Sequence, residues 1–378
     1  MKICFINFGA YPYLNPKHNN PTGGAEKQTA LWAKLLARDK NIKVSLITGY
    51  FNQPRIETIN NILVHHSQVS DNGGRYQIWR DINRLLFTIK KILIGKDDIY
   101  VFRTADFSLG ILKIVIKLRK KMLVYMVSSD IDCDGRYEKE NKWIYGKIYA
   151  SGIRNTDLII TQTINQKNNL LKKYLKDSIV IPNLHLSLIK ETKEEPPKDN
   201  QIIWVGRSVP LKQAEIFFEL AKNFSPYKFI IVSTPNPKLL NYHENLKKIG
   251  NNIPNITFFT NLPPDSMEKY YKESKVLVNT STYEGFPNTF LEAMAHHTPV
   301  LSLNVDPDNI LTRNECGDCA SGDIKKLNDM LKKMLNDDEY WQKLSTNTHN
   351  YVQENHNPIK NVPVLKMHLN KLINNKAL

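Results

Sequence analysis

Residues 275–299 read KVLVNTSTYEGFPNTFLEAMAHHTP, and the meaning of the rest of the chain depends on them. Val276 to Val278 is an apolar, β-branched run closed by Asn279 and Thr280, which predicts a short buried strand. A turn follows, Glu284-Gly285-Phe286-Pro287, and then a helix opening near Asn288 and carrying Leu291, Ala293 and Met294. Gly285 lets the backbone pass close to a ligand, and Pro287 pre-sets the dihedral of a first helical turn. The N–H groups of Asn288, Thr289 and Phe290 are then expected to be free above the strand's carboxyl end, where a helix start favours phosphate. Glu284 in the turn and Glu292 in the helix bracket that position. Sugar hydroxyls suit carboxylates beside a phosphate, so a ribose on one acid, a hexose on the other and a diphosphate on the amides describe a nucleotide sugar. A capped amphipathic helix with two solvated acids has the same spelling, and on this stretch alone both readings stand.

A second stretch, 204–224, reads WVGRSVPLKQAEIFFELAKNF. It predicts a strand ending at Gly206, the cations Arg207 and Lys212 around Pro210, and an amphipathic helix with Ile216, Phe217 and Leu220 inward. Two cations at a strand's carboxyl end can clamp a diphosphate, Arg by its fork and Lys as a point charge. Near the amino end, strand residues 1–10 and 42–48 flank an amphipathic helix introduced by Thr22-Gly23-Gly24. That is the strand-to-helix side of a βαβ unit, where open α/β folds bind ligands. Paired glycines there admit backbone amides to a phosphate or an acceptor hydroxyl, and a plain N-cap turn looks similar.

These motifs together resemble family 4 retaining glycosyltransferases: GGAE at 23–26, Gly-Arg-x4-Lys ending at Lys212, and Glu-x7-Glu from Glu284 to Glu292, in that order. The resemblance covers essentially the whole chain. It implies an α/β chain of the GT-B fold, two Rossmann-like domains facing each other across a cleft, with a C-terminal helix crossing back to the first. An acceptor-side domain over 1–190, joined by 363–378, and a nucleotide-sugar domain over 200–360 are expected. The charged, doubly proline segment 190–200 reads as the linker between them. The resemblance implies retaining transfer of a hexose or N-acetylhexosamine to a saccharide or lipid-linked acceptor, with UDP preferred over GDP, as in bacterial capsule or O-antigen synthesis. Arg207 and Lys212 would meet the leaving diphosphate, Glu292 the ribose and Glu284 the sugar. Gly285, Phe286 and the amides of 288–290 would complete the donor site, with the base against Thr260, Asn261 and Leu262. Gly23 and Gly24 would serve the acceptor and diphosphate side. No metal and no other cofactor is implied. Two departures stand out: Gln213 occupies a position where glycine is usual, and Ser128-Ser129-Asp130 replaces a histidine near the sugar. Asp130 is the candidate for contact with sugar or acceptor, an N-cap acid being the alternative.

Composition agrees with two soluble domains: 378 residues, 41% hydrophobic and 24% charged. Four cysteines are too few for a disulfide scaffold, and Cys316-Gly-Asp-Cys319, without a second pair, reads as a loop. No secretory signal and no membrane-spanning run is visible, so a cytoplasmic place is expected, peripheral on the inner face of the plasma membrane. The net charge is +15, and residues 75–121 hold twelve basic residues against four acids, +8 in that segment. In the helix expected over 77–94, Ile78, Ile82, Leu85, Leu86, Ile89 and Leu93 should face the core, with Arg80, Arg84 and Lys91 on the opposite side, a basic face that suits an anionic membrane surface or plain solvent. Asp130, Asp132 and Asp134 imitate a calcium loop, but position twelve is Asn141 and a strand precedes it, which disfavours calcium. Rival classes are a nucleotide-sugar epimerase, a non-catalytic nucleotide-sugar scaffold and a nucleic-acid-binding protein. The last would explain the charge and leave Glu284 and Glu292 without a purpose, so no nucleic acid is expected.

Overall fold

The computed structural model describes residues 1–15, 23–70, 77–189 and 200–377. Thr22, Arg75 and the expected linker 190–199 lie outside the described residues. The chain forms two compact units, Met1–Leu184 with Ile359–Leu378, and His185–Pro358. Each is a Rossmann-like α/β unit built on its own sheet.

The first unit contains β1 (Lys2–Ile6), β2 (Lys43–Tyr50), β3 (Ile56–Ile59), β4 (Ile62–Ser70), β5 (Ile99–Arg103), β6 (Met122–Met126), β7 (Leu158–Thr161) and β8 (Ile179–Val180). Their order in the sheet is β3-β4-β2-β1-β5-β6-β7-β8, parallel except for β3. β1 is buried on both faces, which is why it reads as a nearly continuous apolar run. The hairpin β3–β4 was not expected. It turns on Asn60 and Asn61, with φ of 51° and 62°, the two left-handed residues that a tight hairpin turn requires. The last helix, Pro358–Ala377, buries Leu365 and Leu369, and Lys366 pairs with Asp39 in this unit.

The helix Gln77–Ile94 forms as expected but is rolled about its axis. Arg84, Thr88 and Ile92 are buried, while Trp79, Ile82, Leu86 and Leu93 are exposed. Two interactions hold this roll. The Arg84 guanidinium lies 5.1 Å from the centroid of the Phe8 ring, and Lys91 Nζ sits 3.1 Å from His65 Nδ1. Burial, then the Lys91 charge, pushes His65 down to about 4, so its ring is neutral and Nδ1 can accept the lysine proton. The basic face assigned to Arg80, Arg84 and Lys91 therefore is not the outer face. Helix periodicity separates two faces but does not say which one meets protein when cations have an aromatic ring and a neutral histidine to stack on or bond.

The second unit contains β9 (Gln201–Ser208), β10 (Lys228–Pro235), β11 (Ile256–Thr260), β12 (Val276–Asn279), β13 (Val300–Ser302) and β14 (Gly317–Cys319). Its all-parallel order is β11-β10-β9-β12-β13-β14. β14 occupies the stretch expected to be a loop. Gly317 makes this strand possible, because a Cβ there would lie 1.9 Å from the Val300 carbonyl oxygen. Cys316 and Cys319 are buried free thiols directed at different carbonyls, those of Asn314 and Asn347 for the first and of Leu303 for the second.

Candidate functional site

The order of the second sheet reverses between β9 and β12, neighbours that pair Ile202 with Val276 and Ile203 with Leu277. Loops leaving a parallel sheet on either side of such a switch diverge and leave room for a ligand at the strands' carboxyl ends. Both motif stretches leave the sheet here. The loops are laced together: the Thr282 N–H donates to the Leu211 carbonyl (3.0 Å) and the Thr280 hydroxyl to the Lys212 carbonyl (2.6 Å). The Trp204 indole N–H donates in turn to Thr280 Oγ1 (2.9 Å). Gly206 is required beside that indole, since a Cβ would fall 2.8 Å from it.

Glu284 is the electrostatic centre of this arrangement. Its Oε1 pairs with Lys212 Nζ at 2.7 Å and accepts from Ser281 Oγ (2.7 Å) and Asn279 Nδ2 (2.9 Å). Burial pushes its carboxyl upward, but the Lys212 charge and these bonds outweigh burial and hold it below the usual carboxylate range. All three contacts fall on one oxygen. Oε2 has no partner among the described residues, so an ionised acceptor is held ready for a hydroxyl donor.

The helix opens at Asn288, with Pro287 as its cap at φ −65° and ψ 124°. One expectation is corrected here: the Phe290 N–H donates to the Pro287 carbonyl at 3.1 Å and is not free. The helix tightens at its start because proline supplies a carbonyl aimed along the axis. Thr289 keeps an N–H without an acceptor among the described residues. The side chains of Phe286 and Phe290 are core, Phe286 lying 4.8 Å from the His356 ring, so only their backbone can face a ligand. Glu292 is half-buried and accepts from the hydroxyl of Tyr271 (2.7 Å), a fully buried ring on the preceding helix. Tyr271, Asn279 and Ser281 fix both acids. Sequence reasoning missed them because each is an ordinary residue for a helix or strand end.

Arg207 lies within β9, opposite Thr234, rather than beyond the strand, and is exposed. Gln213 has φ 46°, in the left-handed region, which gives the expected glycine at this position a physical reason. Its Oε1 is buried without a partner among the described residues. Asn261 is also left-handed, at φ 54°, and Leu262 packs on the core. Beneath them runs a polar chain not visible in the sequence: Ser233 Oγ, Ser208 Oγ (2.6 Å), His243 Nδ1 (2.6 Å), and from His243 Nε2 to Thr260 Oγ1 (3.2 Å). It joins the carboxyl ends of β10, β9 and β11. Burial lowers the His243 pKa, which keeps this ring neutral and able both to donate and to accept.

The remaining candidates belong to the first unit. Gly23 caps the helix Gly24–Leu36 in extended backbone, and its carbonyl accepts from Lys27. Asp130 is half-buried and accepts from Gln166 Nε2 (3.1 Å). Ser129, not Asp130, is the cap residue of this turn, and the buried acid is Asp132, bonded to Ser128 and Ser129. Asp134 binds Arg136 instead, so the three aspartates diverge. Arg103, at the end of β5, is a fully buried guanidinium whose one hydrogen bond among the described residues goes to the neutral Asn183 (2.9 Å). Burial brings its pKa down to about 10, and no sequence signal distinguished it. Among the described residues no three His, Cys, Asp or Glu side chains converge to hold a metal.

Comparison with known proteins places this geometry. Residues 187–351 match the family model described as glycosyl transferases group 1. D-inositol 3-phosphate glycosyltransferase of Rhodococcus jostii is 22% identical over 183 residues, covering 43% of this chain and 40% of the relative. The chain thus spans about two fifths of the length of that relative. Among solved structures, sucrose-phosphate synthase from Thermosynechococcus elongatus superposes with a TM-score of 0.78 at 17% identity over 99% of both chains. Anabaena HepE, solved with UDP and glucose, gives 0.73 at 14% identity over 98% of this chain and 100% of its own. Residues 187–351 of the second unit thus resemble the group 1 glycosyl transferases, and the chain has the GT-B fold.

Proposed function

We propose that the chain is a retaining, metal-independent glycosyltransferase that moves a hexose or N-acetylhexosamine from a nucleotide sugar to a saccharide or lipid-linked acceptor. The observation that carries this reading is the Glu284 carboxylate, saturated on Oε1 by Lys212, Ser281 and Asn279 and open on Oε2 at the sheet's switch point. An ionised oxygen in that setting accepts a sugar hydroxyl without paying for desolvation of an unpaired charge. Glu292, oriented by Tyr271, takes the ribose hydroxyls. Arg207 and Lys212 meet the diphosphate, whose negative charge grows as the glycosidic bond breaks. Thr289 N–H and the backbone at Gly285 and Asn288 add neutral donors, and the loop at Asn261 and Leu262 faces the base. Gly23, Gly24 and Asp130 are assigned to the acceptor. UDP is the preferred nucleotide, a choice supported by the UDP complex of HepE.

The biological setting we infer is bacterial surface-polysaccharide synthesis, capsule or O-antigen, at the cytoplasmic face of the membrane. No helix among the described residues is long and apolar enough to cross a membrane. The test is calorimetric titration with UDP, GDP and their sugar conjugates, on the wild type and Glu292→Ala. Selective binding of one nucleotide, weakened on the order of tenfold by the substitution, is expected for a lost charge-assisted bond. Absence of binding to all of them would overturn the reading and bring the nucleic-acid or scaffold alternative forward.

A further inference from the structure

The helix Gln77–Ile94 connects β4 to β5, and the helix Ser108–Leu118 connects β5 to β6. Both crossovers move in the same direction along the sheet, so right-handed connection puts both helices on one face, where they pack side by side. Their outer surfaces are unusual. Trp79, Ile82, Leu86 and Leu93 on the first, and Ile114 and Leu118 on the second, are 40% to 76% exposed. Such residues occur singly on most surfaces, but six on two adjacent helices form a patch.

Among the described residues, the exposed charges along this arc are of one sign. Lys90 is exposed on the same arc as Trp79, Leu86 and Leu93, and Lys117, Arg119 and Lys120 are exposed around Leu118. The exposed acid on the first helix, Asp81, sits on the far arc, 3.5 Å from Arg80 Nε. We propose that this two-helix face of the first unit is a membrane-docking surface. Its apolar side chains enter the interface of an anionic bilayer, and Lys90, Lys117, Arg119 and Lys120 lie at the level of the headgroups. Trp79 has the amphipathic ring that the interface favours. The occupant is lipid rather than a second copy: among the described residues the exposed charges on this arc are basic, and a two-fold contact would set them against themselves. The surface deepens the lipid-linked-acceptor reading, yet it rests on packing and charge alone and does not require the donor chemistry.

The test is co-sedimentation of the full chain with vesicles of phosphatidylcholine alone and of phosphatidylcholine mixed with phosphatidylglycerol. The wild type is expected to bind the mixed vesicles and to retain part of that binding at high salt, since insertion is apolar. Leu86→Asp and Ile82→Asp, both at exposed positions, are each expected to lower vesicle affinity on the order of tenfold or more. Arg80→Glu, on the inward side, should change binding far less than Lys90→Glu. UDP titration of the same variants reports on the second unit and should be unchanged. Salt-abolished binding indifferent to Leu86→Asp would overturn the proposal, as would a wild type that ignores anionic vesicles. Self-association lost in Leu86→Asp without vesicle binding would assign the face to a second copy and overturn it too. Failure of UDP binding with vesicle binding intact would instead sink only the donor reading.

Discussion

Replacing Lys212 by Met isolates the electrostatics of the site. The thioether keeps the aliphatic stem, and the Lys212 carbonyl can still accept from Thr280, so the lacing of the two loops survives. What disappears is the cation 2.7 Å from Glu284 Oε1. The two side chains are 20% and 17% exposed, which puts the pair between the exposed and the buried regime. Breaking a fully buried pair costs about 3–5 kcal/mol and an exposed one about 0–1; with Ser281 and Asn279 still donating, we expect about 2 kcal/mol at neutral pH. The pH dependence gives the sharper result. In the wild type the Glu284 pKa is lowered from 4.5, so its contribution is present above pH 4.5 and is lost as pH falls through the lower folded value. Without Lys212, burial becomes the dominant influence and the folded pKa should rise above 4.5. The variant's penalty then exists at neutral pH and fades on acidification. Chemical unfolding followed by tryptophan fluorescence, with Trp204 beside the site, should show a stability gap that is widest at neutral pH and narrows toward pH of about 4.5. Lys212→Met with Glu284→Gln should recover most of the stability but not nucleotide binding. A gap that is constant with pH, or a double variant no better than the single, would refute the coupling.

Tyr271→Phe removes only the hydroxyl that holds Glu292; it should weaken nucleotide binding by about 1–2 kcal/mol in calorimetry, and equal affinity would show that Glu292 needs no such support. Gly317→Ala should destabilise the second unit by roughly 3 kcal/mol or more in thermal unfolding, because its Cβ would occupy the space of the Val300 carbonyl oxygen. Burial depresses the His243 pKa from 6.5, so the neutral ring contributes stability above pH 6.5 that is lost as pH falls through its folded value; His243→Gln should flatten this part of the unfolding profile, and an unchanged slope would exclude His243 as its source.

The two parallel sheets were legible because their strands are short apolar runs between glycines, prolines and amphipathic helices, a pattern that few other folds produce. The meeting of Lys212 with Glu284 was foreshadowed because each is a charge set just beyond the carboxyl end of a strand, in the two loops that leave the sheet side by side. Their supports were not. Tyr271 reaches Glu292 only through the fold, and Asn279 and Ser281, though close to Glu284 in the chain, are ordinary residues for a strand end. The hairpin at 56–70 did carry a signal, paired asparagines between alternating β-branched residues, although its outer strand is half polar and short. The roll of the helix Gln77–Ile94 was unreadable for a different reason. Its sequence has an apolar side and a basic side, and the choice of the side that packs was made by Phe8 and His65, distant in the chain.

The first unit is assembled from two separate pieces of chain, Met1–Leu184 and Ile359–Leu378. During synthesis the ribosome delivers 174 residues, 185 to 358, between them, which takes on the order of ten seconds or longer. Throughout that interval the places later filled by Leu365 and Leu369 have no occupant, and Asp39 awaits Lys366. The second unit, continuous in the chain, is therefore the first that can be completed. A nucleotide of the kind proposed, binding once β14 and the helices after it have emerged, would stabilise one half of the protein before the other is finished.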